Sequence, residues 1–236
     1  MSQFYKTFAL LAEAAYPPEA REGKDVQSPH TVDIRDVGRA GGSFKEQFID
    51  KLRGVEMFCA TIWLVRPGSH GAPEEWLVFG HRGTHGKKDV HTDADIWMMD
   101  SGRGMVHGGF WKDYLAAQEW ILDMQETHLR HGMLLAHCGH SKGGGSAYCA
   151  ALDTQASLFA FGCPVVGDVN ANRAISAMPM ATRFYFWSDP IVWMPGAYVN
   201  SRFKQSYQIG PWQAGGWCLG LGRHRIKSYV KAVGRL

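Results

Sequence analysis

A serine lies between glycines where an apolar stretch of the sequence ends. The pentapeptide Gly139-His140-Ser141-Lys142-Gly143 follows the apolar stretch 133–139 and opens a segment of small residues, 141–154. A sharp turn from a strand into a helix exposes a serine hydroxyl at the edge of a sheet, and the backbone there comes so close that glycines are needed on both sides. The pattern therefore predicts that Ser141 is a nucleophile, with the Lys142 N–H and the positive end of the helix dipole beside it.

A serine nucleophile of this kind needs an acid and a histidine that follow it in the chain. His224 is the only one of eleven histidines that lies after Ser141, and only Asp153, Asp168 and Asp189 lie between the two. Asp153 falls about three turns along the helix that follows the serine, which carries it away from the catalytic end. Asp189 comes directly after the strand-like stretch 181–187, at the sheet edge where active-site loops gather. The predicted catalytic residues are therefore Ser141, His224 and Asp189, with Asp168 as the alternative acid.

Apolar runs without polar alternation predict the sheet that positions these residues. Such runs, placed between helical segments, are typical of strands buried on both faces of a parallel sheet. The runs cover 55–65, 74–80, 133–139, 157–163 and 181–187, and the helical segments cover 110–132, 141–154 and 170–178. The pattern predicts one α/β domain over residues 1–236, with a mostly parallel central sheet and helices on both faces.

The two ends and the early part of the chain add three expectations. Phe4, Phe8, Leu11 and Ala15 recur at helical spacing and predict a short amphipathic helix that ends before Pro17-Pro18. Residues 19–54 are polar and glycine-rich, which indicates a surface excursion with helical character near 43–52. The segment 223–236 carries five basic residues and no acid, so a terminal helix with a basic outer face is expected.

Several separated blocks resemble, in order, the class 3 (fungal-type) lipases of the α/β-hydrolase fold. The matching blocks are Val78 to Thr84 (VFGHRGT), Val106 to Phe110 (VHGGF), Gly139 to Gly144 (GHSKGG), Phe161 to Gly167 (FGCPVVG), Arg183 to Pro195 (RFYFWSDPIVWMP) and, more loosely, His224 with Tyr229. The resemblance covers about residues 74–230. It implies an oxyanion hole formed by Thr84, through its N–H and its hydroxyl, and by the N–H of Lys142.

Two features of the sequence depart from the class 3 lipases. Lys142 stands where that family usually has Leu or Met, and in this respect the elbow is similar to that of small bacterial lipase-like hydrolases. A cation at this position is expected either to favour anionic substrate groups or to point into solvent. The segment 85–107 should hold any lid, and its front part, 85–92, is polar, whereas a lid for oil–water interfaces carries an apolar face. Small soluble esters or polar lipids are therefore the expected substrates, rather than insoluble triglyceride.

The combined expectation is a serine hydrolase that cleaves carboxylic esters through an acyl-enzyme intermediate. A phospholipase and a thioesterase use the same catalytic residues and stay open, as does a catalytically silent binding protein with the same fold. No cofactor and no metal are expected. A group of potential ligands (His85, Asp89, His91, Asp93 and Asp95) matches no metal-site spacing and is interpreted as a solvated loop.

The charge, the N-terminal sequence and the cysteines limit the kinds of partner and the cellular location that we expect. The formal charge of +3, from 25 basic and 22 acidic side chains, is too small to indicate nucleic-acid binding. The N-terminus lacks the pattern of a secretory signal, and no apolar stretch is long enough to span a membrane, so a cytoplasmic location is expected, with export by a signal-less route left open. Five widely spaced cysteines favour buried thiols. The expected partner is a small acyl ester or lipid, and transient contact of the basic terminal helix with an anionic membrane surface is the weaker alternative. The oligomeric state stays open.

Overall fold

The fold is taken from a computed structural model, which describes residues 2–16, 42–50, 55–69, 71–83, 97–194, 205–209 and 224–235. The described helices are α1 (Ser2–Ala14), α2 (Gly108–His128), α3 (Lys142–Thr154), α4 (Val169–Ser176) and α5 (Ile226–Val233). The described strands are β1 (Gly42–Asp50), β2 (Val55–Leu64), β3 (Glu74–His81), β4 (Met98–Asp100), β5 (Met105–His107), β6 (Leu134–His140), β7 (Ser157–Phe161), β8 (Ala181–Phe186) and β9 (Gln205–Ile209). A short 3-10 turn, Pro190–Trp193, follows β8.

Seven of the described strands form one sheet in the order β1-β2-β3-β6-β7-β8-β9. The pairs β1–β2 and β2–β3 are antiparallel, and every pair from β3 to β9 is parallel. Strands β4 and β5 form a separate two-stranded antiparallel ribbon. The mostly parallel sheet confirms the fold class that the apolar runs predict. Because parallel strands end at the same edge, the segments that follow β3, β6, β7 and β8 start together there.

Helices cover both faces of the sheet, as parallel strands require. Side chains of α1 and α5 pack against one face, together with Phe159 and Phe161 of β7. Side chains of α2, α3 and α4 pack against the other face, together with Leu158 and Ala160 of the same strand. Successive residues of β7 therefore enter opposite cores, which explains why this run has no polar alternation.

The N-terminal helix is attached to the sheet through aromatic rings. Phe8 stacks on Phe159 with 3.8 Å between ring centroids. The rings of Phe4 and Trp76 make edge-to-face contacts with Phe8, with Phe159 and with each other. Phe4, Phe8 and Leu11 are buried, which confirms the face that the helical spacing indicates. Rings of this size contribute strongly to core stability. Helix α1 is therefore an integral part of the core.

The prediction of helix near 43–52 is wrong, because Gly42–Asp50 forms the edge strand β1. Phe48 fits a helical stripe and equally fits one face of a strand, so its position does not distinguish the two. In the fold, Phe48 lies against the Trp120 ring at 5.7 Å, and the backbone pairs with β2 from Gly42 to Asp50. Without β1, the outer edge of β2 would present unpaired N–H and C=O groups. Pairing with a distant strand therefore overrides the local helical tendency.

A chain of hydrogen bonds between neutral side chains crosses the core below the carboxyl edge. Ser146 meets His81 Nδ1 at 3.2 Å, His81 Nε2 meets His137 Nδ1 at 3.0 Å, and His137 Nε2 meets Thr154 Oγ1 at 3.1 Å. The Thr154 hydroxyl donates its proton to the Ala150 carbonyl, so it accepts from His137. Each ring therefore has one donor and one acceptor nitrogen in use. Burial lowers the pKa of His81 to about 3 and lowers the pKa of His137 well below its ordinary value.

These two histidines should make the folded protein sensitive to acid. Below pH ~6.5 the unfolded chain protonates both rings while the folded chain keeps them neutral, so stability falls as the pH falls. The free energy of unfolding should fall by up to about 3 kcal/mol for each unit by which the pH is lowered in the acidic range. The contribution of His81 to this slope should persist down to its folded-state pKa of about 3. Urea unfolding between about pH 7.5 and pH 5.5 measures this slope.

The control is the double variant His81→Gln/His137→Gln, which keeps amide donors and acceptors at both positions but cannot titrate. Its stability should change less steeply with pH than that of the native chain, whatever its absolute stability. Equal slopes in the two proteins would contradict the prediction.

Candidate active site

Ser141 occupies the turn between β6 and α3 in a conformation that L-residues rarely adopt. Its φ is 57° and its ψ is −128°, and its N–H donates to the Phe161 carbonyl at 3.0 Å. A side chain at Gly143 would place its Cβ 2.3 Å from the His81 carbonyl oxygen, so only glycine fits there. The strained turn is thus held by the strands on either side of β6, and it lifts the serine side chain to the carboxyl edge of the sheet.

Three side chains from distant parts of the chain meet at this edge. Ser141 Oγ lies 2.7 Å from His224 Nε2, and His224 Nδ1 lies 2.8 Å from Asp189 Oδ2. An ionised carboxylate only accepts, so His224 donates through Nδ1 and its Nε2 is free to accept the serine proton. This is the geometry of a hydroxyl nucleophile with a histidine base and an orienting acid.

Asp189 is completely buried and accepts three hydrogen bonds. Besides His224, its Oδ2 accepts from the Tyr229 hydroxyl at 2.7 Å, and its Oδ1 accepts from the Ile191 N–H at 3.0 Å. Burial, and then the charge of Asp189, raise the pKa of Tyr229 well above its ordinary value. Tyr229 therefore stays protonated and donates, and these bonds offset the cost of burying the carboxylate.

The other two carboxylates have separate structural partners. Asp168 caps the N-terminus of α4 by accepting from the N–H groups of Asn170 and Ala171 at 3.0 and 2.8 Å. Asp153 accepts from the Tyr114 hydroxyl and from Gln118 Nε2 between α2 and α3. Of the three candidates, only Asp189 is hydrogen-bonded to His224.

The Lys142 side chain was expected either to favour anionic substrate groups or to point into solvent, and the structure agrees with neither expectation. Only 3% of the side chain is exposed, and its Nζ lies 3.1 Å from Oδ2 of Asp113, a buried residue of α2. The positive charge of Lys142 is therefore compensated by Asp113 inside the protein. The side chain does not point into solvent, and its charge is not free for an anionic substrate group. The backbone N–H of Lys142 begins α3, where N–H groups have no acceptor within the helix.

Several predicted features lie outside the described residues. They are Thr84, the polar front part of the segment 85–107, and the five potential ligands between His85 and Asp95. Among the residues that the structure does describe, no group of three His, Cys, Asp or Glu side chains could hold a metal ion. No helix in the described part of the chain is long and apolar enough to cross a membrane.

Two residues at the site were not assigned a role from the sequence. Tyr229 belongs to the block that loosely resembles the class 3 lipases, but neither that resemblance nor its place on the apolar side of α5 gave its hydroxyl a role; in the fold this hydroxyl donates to Asp189. Arg183 of β8 donates to the Cys163 carbonyl at 2.7 Å and to the Val192 carbonyl at 2.7 Å. It thereby joins the loop after β7 to the turn that follows Asp189. A cation inside the apolar run 181–187 was the one available signal for such a role.

Comparison with known proteins agrees with this architecture. Residues 78–199 match the family model of class 3 lipases. No match is found among curated protein sequences. A mutant form of MDLA from Penicillium cyclopium is 21% identical, with a TM-score of 0.68 over 87% of this chain and 78% of that one. The mono- and diacylglycerol lipase from Aspergillus oryzae is 24% identical, with a TM-score of 0.67 over 87% of this chain and 78% of its own.

A triacylglycerol lipase from Penicillium expansum is more distant, at 16% identity and a TM-score of 0.58 over 87% of this chain and 78% of that one. Identities this low establish the fold alone. The family match is stronger, because it spans more than half of the chain and includes both Ser141 and Asp189. The protein therefore belongs to the class 3 lipases, a family of carboxylic ester hydrolases with the α/β-hydrolase fold.

Proposed function

We propose that this chain hydrolyses carboxylic esters through an acyl-enzyme on Ser141, with His224 as the general base and Asp189 as the orienting acid. The observation that carries the proposal is the continuous hydrogen-bond chain from Ser141 Oγ through the His224 ring to Asp189. Its members are brought together from separate segments of the sequence, and its donor directions are the ones that proton transfer from the serine requires.

In the first half of the reaction, Ser141 Oγ attacks the carbonyl carbon of the ester while its proton passes to His224 Nε2. The imidazolium that forms is stabilised by Asp189, which is held in place by Tyr229 and Ile191. His224 then gives the proton to the leaving alkoxide, and the alcohol departs. In the second half, His224 takes a proton from water, the hydroxide attacks the acyl-enzyme, and the acid is released as Ser141 recovers its proton.

The negative charge that develops on the carbonyl oxygen needs donors at the same edge. We assign this role to the Lys142 N–H, which stands at the N-terminus of α3, and to Thr84, which follows β3 in the sequence. Two such donors, together with the positive end of the helix dipole, lower the barrier by a few kcal/mol. Asp113 neutralises the Lys142 side chain, so the charge of that lysine is not assigned to the substrate.

The substrates that we propose are small esters and polar lipids whose acyl chain is apolar. The polar segment 85–92 argues against a preference for insoluble triglyceride. Next to the acid, Trp187 is 68% exposed, and its main-chain carbonyl accepts from the Trp193 indole Nε1 at 3.0 Å, which holds the Trp193 ring at the carboxyl edge. Trp187 is a suitable surface for an acyl chain. Contact of the basic face of α5 with an anionic membrane, and a cytoplasmic location, stay predictions.

The nucleophile can be tested by covalent labelling. A fluorophosphonate probe should label the native protein, and hydrolysis of p-nitrophenyl esters should fall by a factor of about 10³ or more in Ser141→Ala, since the covalent route is lost. Ser146→Ala is the matched control, because this nearby buried serine is bonded to His81 and not to His224. A folded native protein that neither reacts with the probe nor cleaves esters would contradict the proposed function.

The acid can be tested with one substitution at two positions. Asp189→Asn should lower kcat by a factor of about 10³–10⁴, because an amide cannot hold the histidine in the required tautomer. Asp168→Asn makes the same chemical change at the alternative acid and should leave kcat within about twofold, since asparagine caps a helix as well as aspartate does. Steady-state kinetics of both variants measure this. If Asp168→Asn were the inactive one, the assignment of the acid would be wrong.

The acyl surface can be tested by the dependence on chain length. Trp187→Ala should lower kcat/KM for octanoyl esters about 5- to 10-fold more than for acetyl esters, because only the longer chain reaches the indole. Trp63→Ala is the control, since this partly exposed tryptophan on β2 pairs with Glu75 at the opposite end of the sheet. An equal loss for both ester lengths would show that Trp187 does not contact the acyl chain.

A further inference from the structure

A second histidine lies directly behind the proposed base. His140, the residue before the serine, places its Nε2 2.5 Å from the backbone carbonyl oxygen of His224. Its Nδ1 lies 2.8 Å from the hydroxyl of Tyr16, which follows helix α1. The rings of His140 and His224 are 4.8 Å apart between centroids. The N-terminal helix is thereby connected, through one ring, to the main chain of the histidine that takes the serine proton.

The partners determine the protonation state of His140. A carbonyl oxygen only accepts, so His140 carries its proton on Nε2. Burial lowers the pKa of His140 well below its ordinary value, and the neighbouring His224 adds to this, so the ring is neutral and Nδ1 is an acceptor. The Tyr16 hydroxyl is therefore the donor to Nδ1. This bond favours the tautomer that points N–H at His224.

The position of Tyr16 also accounts for a glycine at the end of β3. A Cβ on Gly83 would lie 2.0 Å from the Tyr16 hydroxyl and 2.5 Å from the His140 carbonyl oxygen. The hydroxyl thus occupies the space that a side chain at Gly83 would fill. Gly83 directly precedes Thr84, the residue assigned above to the oxyanion. The Tyr16 hydroxyl therefore packs between His140, which precedes Ser141, and Gly83, which precedes Thr84.

We propose that His140 and Tyr16 are positioning residues for ester hydrolysis, which hold the backbone of His224 so that its imidazole stays aligned with Ser141. This inference rests on the proposed role of the Ser141–His224–Asp189 group. Nothing in it requires His140 to exchange protons with substrate. On the side of Asp189, the imidazole is held by a carboxylate that Tyr229 fixes, whereas the main chain of His224 is held by His140.

The main test removes the hydrogen bond from His140 to the His224 carbonyl and keeps an aromatic ring at position 140. His140→Phe should lower kcat by about 10- to 100-fold with little change in KM, because a displacement of the base by about 1 Å has an effect of this size. The rate of fluorophosphonate labelling should fall in parallel. His140→Gln, whose amide can donate to the same carbonyl, should recover a substantial part of the lost kcat.

The second test removes only the tyrosine hydroxyl. Tyr16→Phe should lower kcat about threefold to tenfold, since the donor to His224 remains but its tautomer is no longer favoured. Tyr114→Phe is the matched control, because it removes another buried hydroxyl, one bonded to Asp153 away from the site. It should reduce stability and leave kcat within about twofold of the native value.

The outcomes separate this inference from the proposed function. An active native protein whose kcat is unchanged in both folded variants, His140→Phe and Tyr16→Phe, overturns the positioning role and leaves the catalytic assignment intact. A native protein that does not hydrolyse esters overturns both. Nitrogen NMR spectra of the histidine rings give a readout independent of turnover: His140 should be neutral with its proton on Nε2, and a proton on Nδ1 would contradict the inference.

Discussion

The close approach of backbone around Ser141 is the constraint on which the site depends. The serine adopts a positive φ because β6 must turn into α3 within a single residue. The turn is crowded from below, where Gly143 meets the carbonyl oxygen of His81. A conformation of this kind costs energy, and it persists only where the surroundings leave no alternative. The seven-stranded sheet with helices on both faces provides those surroundings.

A buried chain of hydrogen bonds and a buried ion pair lie beneath and beside this turn. The chain from Ser146 to Thr154 keeps two histidines neutral, while Lys142 is balanced by Asp113. Leaving any one of them without its partner would carry a large cost, so such networks restrict the core to one arrangement. The folded chain keeps these two histidines neutral at acidic pH, where the unfolded chain protonates them, so this buried chain of hydrogen bonds makes folding dependent on pH.

Helix α1 contributes to the core and contacts the candidate site, although it lies far from Ser141, Asp189 and His224 in the sequence. Its aromatic side chains pack on Phe159 and Trp76 and complete the core on one face. At its end, Tyr16 reaches the carboxyl edge of the sheet and contacts His140. The packing that holds this helix on the sheet therefore also determines the position of the Tyr16 hydroxyl next to His140.

Local patterns in the sequence were sufficient to predict most strands and helices of the main sheet and to identify the candidate catalytic residues. Uninterrupted apolar runs predict doubly buried strands, the glycines around Ser141 predict the turn, and the single histidine that follows it makes His224 the predicted base. Tertiary structure decided what depends on distant partners. It brought Asp189, and not Asp168, within hydrogen-bond distance of His224, made the segment near 43–52 a strand, and buried the Lys142 side chain against Asp113. These outcomes follow from contacts between residues far apart in the chain, and no local pattern encodes where such partners meet.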